Sequence, residues 1–247
     1  MERAAREALE LDDTLGDAHA ALALTILDWS VRTREFQRAL ELDPNSADVH
    51  AFYARVLWEH RRLDEAILHM KRAVELDPLS PALNTDLGKI LYSAGQRDQA
   101  MAQYRKALEL NPNYAGAHHH LANFYLAEGR YQEAIAEAEK RSANSPSEGS
   151  GRPFLGYTYA VAGKRAEAEK ILHELKELSK QRHVGPEAFA LIYTGLGDKD
   201  RALELLQKEY EENKRLPIFI NILPEWDSLR THPRFEELIR QRESRRE

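Results

Sequence analysis

Apolar residues recur along the chain at helical spacing. Leu87, Ile90 and Leu91 form one stripe, and Ala100, Tyr104, Ala107 and Leu108 form the next; residues three and four apart share one face of a helix. The stripes come in pairs, and the pairs repeat. Ala39-Leu40-Glu41-Leu42-Asp43-Pro44 returns as Ala73-Val74-Glu75-Leu76-Asp77-Pro78 and again as Ala107-Leu108-Glu109-Leu110-Asn111-Pro112. Pro44, Pro78, Pro112 and Pro146 stand 34 residues apart, as do Gly95, Gly129, Gly163 and Gly197, and Ala66, Ala100, Ala134, Ala168 and Ala202. Three independent series on one period predict an all-α solenoid of stacked helix–turn–helix units.

Each mark has a physical job. The proline ends the second helix of a unit, where its missing N–H costs nothing. The glycine supplies a left-handed residue for the tight turn inside the pair. The alanine lies where two helices approach most closely and a larger side chain would push them apart. The period places helix pairs at about 17–42, 47–76, 81–110, 115–144, 149–182 and 185–213, with residues 1–11 as a second helix lacking its first. The first pair is three residues short, and its turn, placed near Asp28-Trp29-Ser30-Val31, has no glycine. The fifth has a long second helix, from about Ala166 to Gln181, and the Ser/Gly-rich stretch Asn144 to Gly151 predicts a late start for its first helix. Beyond residue 213 the period breaks. Phe219, Trp226, Leu229, Phe235 and Leu238 in the segment 214–247 are then expected to cover the apolar end of the last pair, which a solenoid requires. The other end has no such cap, which leads us to expect a piece of a longer chain.

Composition narrows the chemistry. A net charge of −6 leaves no basic footprint for nucleic acid or an anionic membrane. With no cysteine, thiolate metal sites and a cysteine nucleophile are excluded. No run approaches the roughly 18 apolar residues of a membrane span, and the charged start Met1-Glu2-Arg3 is not a signal peptide. The expected compartment is cytoplasmic, or periplasmic if a membrane span precedes these repeats in the parent protein.

The skeleton Leu87-Gly88, Gly95, Ala100, Tyr104, Ala107 and Pro112 resembles the tetratricopeptide repeat (TPR), whose units stack into a right-handed superhelix. The aromatic expected near the start of each repeat is replaced by His19, His50, Asn84 and His118. A longer resemblance runs through Asp28-Trp29, Leu79-Ser80, Asn84-Thr85-Asp86-Leu87-Gly88, Leu175-Lys176-Glu177-Leu178-Ser179, Ala190 to Lys199, Trp226-Asp227-Ser228-Leu229-Arg230 and Pro233-Arg234-Phe235. These segments are similar to the C-terminal TPR region of bacterial, acidobacterial-type, winged-helix transcriptional regulators or serine/threonine kinases. That resemblance implies a sensory or protein-interaction module. Neither a DNA-reading helix nor kinase motifs are present.

Catalytic motifs are absent. His118-His119-His120 are consecutive, so their side chains diverge by about 100° on a helix and do not converge on a metal; packing or solvated roles are expected, and exposure for His60 and His69. Gly156 to Gly163-Lys164 has the wrong spacing for a phosphate loop and puts Arg165 where Ser or Thr is needed. No enzyme, cofactor or metal is expected.

In TPR arrays the first helix of each pair lines the ligand-facing side through its second, fifth, ninth and twelfth positions. Carried onto this register, the resemblance implies a peptide-binding groove of Arg55, Trp58, Thr85, Lys89, Tyr92, His119, Asn123 and Tyr157. Asn amides would bond a peptide backbone, while cations and three exposed aromatics would engage acidic and apolar side chains; the alternative is that Trp58 and Tyr92 pack between neighbouring helices. The set does not reproduce the Lys/Asn/Asn/Lys/Arg clamp that chaperone-binding TPR domains close on a C-terminal carboxylate. The expectation is a protein- or peptide-binding scaffold, monomeric or weakly self-associating, with self-assembly through residues 1–11 as the rival.

Overall fold

A computed structural model describes residues 2–26, 28–145, 151–213, 216 and 220–243. Among them the regular structure is helical, and the chain divides into two compact units, Met1–Pro112 and Asn113–Glu247. The first unit holds α1 (Glu2–Leu11), α2 (Gly16–Ala23), α3 (Trp29–Leu42), α4 (Ala47–Glu59), α5 (Leu63–Leu76), α6 (Pro81–Ser93) and α7 (Arg97–Leu110). The second holds α8 (Ala115–Ala127), α9 (Tyr131–Ala143), α10 (Arg152–Val161), α11 (Arg165–Ser179), α12 (Pro186–Gly195) and α13 (Lys199–Asn213). A 3-10 helix, Pro224–Leu229, and α14 (Pro233–Glu243) complete it. This is the all-α, solenoid class, with helices paired at the predicted places. No helix among the described residues is long and apolar enough to cross a membrane.

The local signals act as their chemistry requires. Ser46 and Ser80 cap α4 and α6 by accepting from the N–H of Val49 and Leu83. Inside five of the pairs the first helix ends in one hydrogen-bond pattern. In the third, Gly95 N–H donates to the Tyr92 carbonyl at 3.0 Å and Gln96 N–H to that of Leu91 at 2.9 Å, with Gly95 left-handed at φ 76. The second pair builds the same turn on a non-glycine residue: Arg61, at φ 61, donates to Trp58 and Arg62 to Leu57. The first pair makes its turn differently. Asp28 caps α3 by accepting from Val31 N–H at 2.9 Å, so Trp29–Val31 lie inside that helix and the turn precedes them, a correction of the expected placement. The late start of the fifth pair is seen at Arg152; Pro146 and its neighbours through Ser150 lie outside the described residues.

Packing explains the small residues. Ala66, Ala100, Ala134, Ala168 and Ala202 are fully buried. At Gly88 an added Cβ would sit 2.5 Å from Tyr104 Cε1, which is why a Leu-Gly step faces a tyrosine one helix later. The histidines that replace the early aromatic reach to the second helix of their own pair. His19 Nδ1 lies 2.6 Å from Glu35, His118 Nδ1 2.5 Å from Glu137, and His50 Nδ1 3.0 Å from His69 Nδ1. His69 is therefore half-buried rather than exposed as expected. In the second unit Trp226, Leu229, Phe235 and Leu238 pack with Ala202, Leu203, Leu206 and Tyr210 of α13; Phe219 lies outside the described residues.

Because a left-handed conformation costs a residue with a Cβ about 1–2 kcal/mol, Arg61→Gly should stabilise the first unit. The gain, reduced by glycine's greater freedom when unfolded, is expected at about 0.5–1 kcal/mol and is read as a higher urea midpoint with unchanged slope.

Candidate functional site

Register brings the expected residues of the first unit together on α4 and α6. Arg55 Nε and Nη2 each lie 2.7 Å from Asp86 Oδ2, and Lys89 Nζ lies 2.9 Å from Asp86 Oδ1. Lys89 also sits 4.4 Å from the Trp58 ring centroid, and the Trp58 indole N–H donates to Ser93 Oγ at 2.9 Å. Burial, the largest influence, pushes the Asp86 carboxyl up; the Lys89 and Arg55 charges outweigh it and hold it below the usual aspartate range. Thr85 is buried and its hydroxyl makes no hydrogen bond. Tyr92 is half-buried with the Arg97 guanidinium 5.9 Å from its ring. Asp86, the centre of this cluster, was not among the residues read from sequence. It belongs to no ligand-facing position, and only folding sets it beside Arg55.

The second unit places His119 and Asn123 one helical turn apart on α8, and both point at the chain's own tail. His119 Nε2 lies 3.0 Å from Glu225 Oε1, and the Asn123 amide donates to the same oxygen at 2.9 Å. The Phe154 ring lies tilted against the His119 ring, centroids 4.3 Å apart, and stacks on the Tyr157 ring at 6.1 Å. Glu225 is buried, and its Oε2 and His119 Nδ1 make no hydrogen bond. Burial pushes the Glu225 carboxyl up. The His119 charge, with hydrogen bonds from His119 and Asn123, outweighs it and brings the group down to about 2. Burial, then the Glu225 charge, push the Tyr157 hydroxyl far up.

Two of the three aromatics expected to be exposed are buried, Trp58 at 1% and Tyr157 at 9%. The reason is the narrow spacing of consecutive first helices. Trp58 of α4 is bonded to Ser93 of α6, and a Cβ at Gly195 of α12 would sit 3.0 Å from the Tyr157 ring. The histidine run does not gather: His118 turns to Glu137 and His119 to Glu225. Glu225 itself escaped the sequence reading, although it is the one acid in the otherwise uncharged run Ile220 to Trp226.

Three family models match within this stretch of helix pairs: a tetratricopeptide repeat over residues 34–81, a TPR repeat over 88–129 and a tetratricopeptide repeat over 117–146. The chain carries tetratricopeptide repeats. Among solved structures, one reported as a functional characterization of pilF from Pseudomonas aeruginosa is 26% identical, covering 72% of this chain and 82% of that one with a TM-score of 0.57. PilW, described as a widely conserved type IV pilus biogenesis factor, is 19% identical over 87% and 97%, with a TM-score of 0.60. The APC/C hetero-tetramer Cut9–Hcn1 is 17% identical over 86% of this chain and 43% of that one, with a TM-score of 0.64. The last two are likenesses of fold. No curated protein matches the sequence.

A depressed carboxylate stabilises the fold above its unfolded value, and that contribution is lost as pH falls towards the folded one. For Glu225 the window runs from the ordinary 4.5 down to about 2. Glu225→Gln should therefore lower stability at pH 7 by about 2–3 kcal/mol, with the gap to the parent narrowing by pH 3. Urea titrations of both proteins at the two pH values measure it, and equal stability at pH 7 would remove the ion pair from the account.

Proposed function

We propose that this chain is a non-enzymatic protein- or peptide-binding scaffold, the sensory or scaffolding part of a bacterial regulatory protein, which takes its partner on the first-helix faces of its repeats. The fold supports the general reading, since tetratricopeptide arrays are generally non-catalytic interaction scaffolds. The regulatory setting is supported by the resemblance carried by Asp28-Trp29, Asn84 to Gly88 and Trp226 to Arg230.

One observation carries the choice of face. In the first unit Asp86 fixes both cations in place, so Lys89 lies on the buried Trp58 ring while Arg55, 5.4 Å from the half-buried Phe52 ring, stays partly exposed. A cation and rings held rigid before a ligand arrives bind at low entropic cost and suit a peptide with acidic and apolar side chains. In the second unit the corresponding residues already engage Glu225, so the first unit offers the more accessible surface.

Trp58, Lys89 and Asn123 are structural enough that replacing them would confuse binding with stability, so the test uses the partly exposed pair. An Arg55→Ala/Tyr92→Ala protein of unchanged helicity should retain partners from a bacterial lysate at least about tenfold more weakly, the loss of roughly 1.4 kcal/mol. Retention of the same proteins in the same amounts would sink this face as the binding site. A second reading, self-assembly, is favoured by Leu11 and Leu15, which are 89% and 43% exposed at the end of α1 and just beyond it. Sedimentation should then show oligomers that Leu11→Glu/Leu15→Glu converts to monomers.

A further inference from the structure

We propose that His119, Asn123, Phe154 and Tyr157 form a carboxylate receptor in the second unit, kept shut by the chain's own Glu225, and that a partner enters it with a glutamate next to an aromatic residue, as in Pro224-Glu225-Trp226. This deepens the scaffold reading and rests on it in one respect, that first-helix faces receive peptides.

The occupant is a non-repeat segment lying where a ligand would lie. His119 and Asn123 stand at the fifth and ninth positions of α8, and Tyr157 of α10 follows Asn123 by one 34-residue period, positions that the resemblance to tetratricopeptide repeats aims at a ligand. What they meet is a six-residue 3-10 helix from the tail. Two donors from one helix converge on a single oxygen, Oε1 of Glu225, at 3.0 and 2.9 Å. Aromatic rings wall the space: Phe154 lies 4.3 Å from the imidazole. A further cation, Arg141, is held 5.0 Å from the Phe154 ring and feels the Glu225 charge. The chemistry selects a carboxylate, because charge-assisted hydrogen bonds to an ionised acceptor are stronger than those to an amide.

The closure is incomplete. Oε2 of Glu225 and Nδ1 of His119 are both buried and both lack a partner, and a buried polar group left without one is unfavourable. An incoming segment that takes Glu225's place gains over the tail if it bonds His119 Nδ1 and leaves neither of its own carboxylate oxygens unpaired. The tail has the advantage of its covalent tether, which makes its binding intramolecular and gives it an effective concentration that a separate peptide must match. Weak ligands are therefore shut out while strong ones exchange. Trp226 and Leu229, packed with Leu203 and Leu206 of α13, add an apolar hold that a partner's own aromatic residue would have to replace.

The test adds a labelled synthetic peptide, the sequence Asn221 to Arg230, to the full chain and reads fluorescence anisotropy. Binding should be at least about tenfold tighter to Glu225→Ala/Trp226→Ala than to the parent protein. It should be lost when His119→Ala is added, and a peptide carrying Gln in place of its Glu should not bind. Equal binding by parent and double variant, or equal binding of the two peptides, overturns the proposal. Should the double variant lose its helicity, hydrogen exchange in the parent decides. Millimolar Glu peptide should speed exchange across residues 221–230 while the Gln peptide does not, and no difference between them overturns the receptor. Arg55→Ala/Tyr92→Ala should leave these results unchanged. Failure here with lysate retention intact on the first unit removes the receptor alone; the reverse removes the first-unit face alone.

Discussion

A helix pair of about thirty residues cannot bury its own apolar stripes, and everything else in this protein follows from how closely the next helix must come to cover them. The approach is set by alanines with no exposed surface at all, Ala66, Ala100, Ala134, Ala168 and Ala202, and by Gly88, whose missing Cβ is the space taken by the Tyr104 ring. Close approach makes the contacts dense, and density makes the interior intolerant of size changes. It also fixes the pitch from one first helix to the next. At that pitch a large ring at a ligand-facing position no longer projects freely. It fills the gap to its neighbour, as Trp58 does against Ser93.

Buried polar groups in the resulting seams must find partners within the fold. The histidines standing in for the early aromatic turn to Glu35, His69 and Glu137 on the second helix of the same pair. On the first-helix faces an acid performs the matching role: Asp86 joins Arg55 to Lys89, and Glu225 joins His119 to Asn123. In both cases burial opposes the charged carboxylate and neighbouring cations and hydrogen bonds restore it. The two acids differ in origin. Asp86 is part of a repeat and pre-orders a surface, whereas Glu225 comes from outside the repeats and occupies one. Each helix-rich unit thus holds the candidate residues in defined positions, an arrangement that in the proposed scaffold would lower the entropic cost of recognition.

The helix pairs, their order and most of their boundaries were legible in the chain because each is set by local chemistry repeated on one period. Pro44 and Pro78 end helices through a missing N–H, Ser46 and Ser80 begin them by accepting a backbone hydrogen bond, and Gly95 turns the chain because only glycine is unstrained there. Where the local signal was missing the reading slipped: without a glycine, the first turn was placed too late, and Asp28 proved to be the cap of α3. The six-pair count needed nothing beyond the period, whereas the candidate faces came from the resemblance to tetratricopeptide repeats carried onto that register. Which side chains on those faces are open to a partner was decided by tertiary structure alone. Burial of Trp58 depends on the distance to α6, and the pairing of Arg55 with Asp86 spans 31 positions. The capture of Asn123 by Glu225 spans 102. Periodicity records which face of its own helix a residue occupies; it carries no record of what the rest of the chain brings against that face.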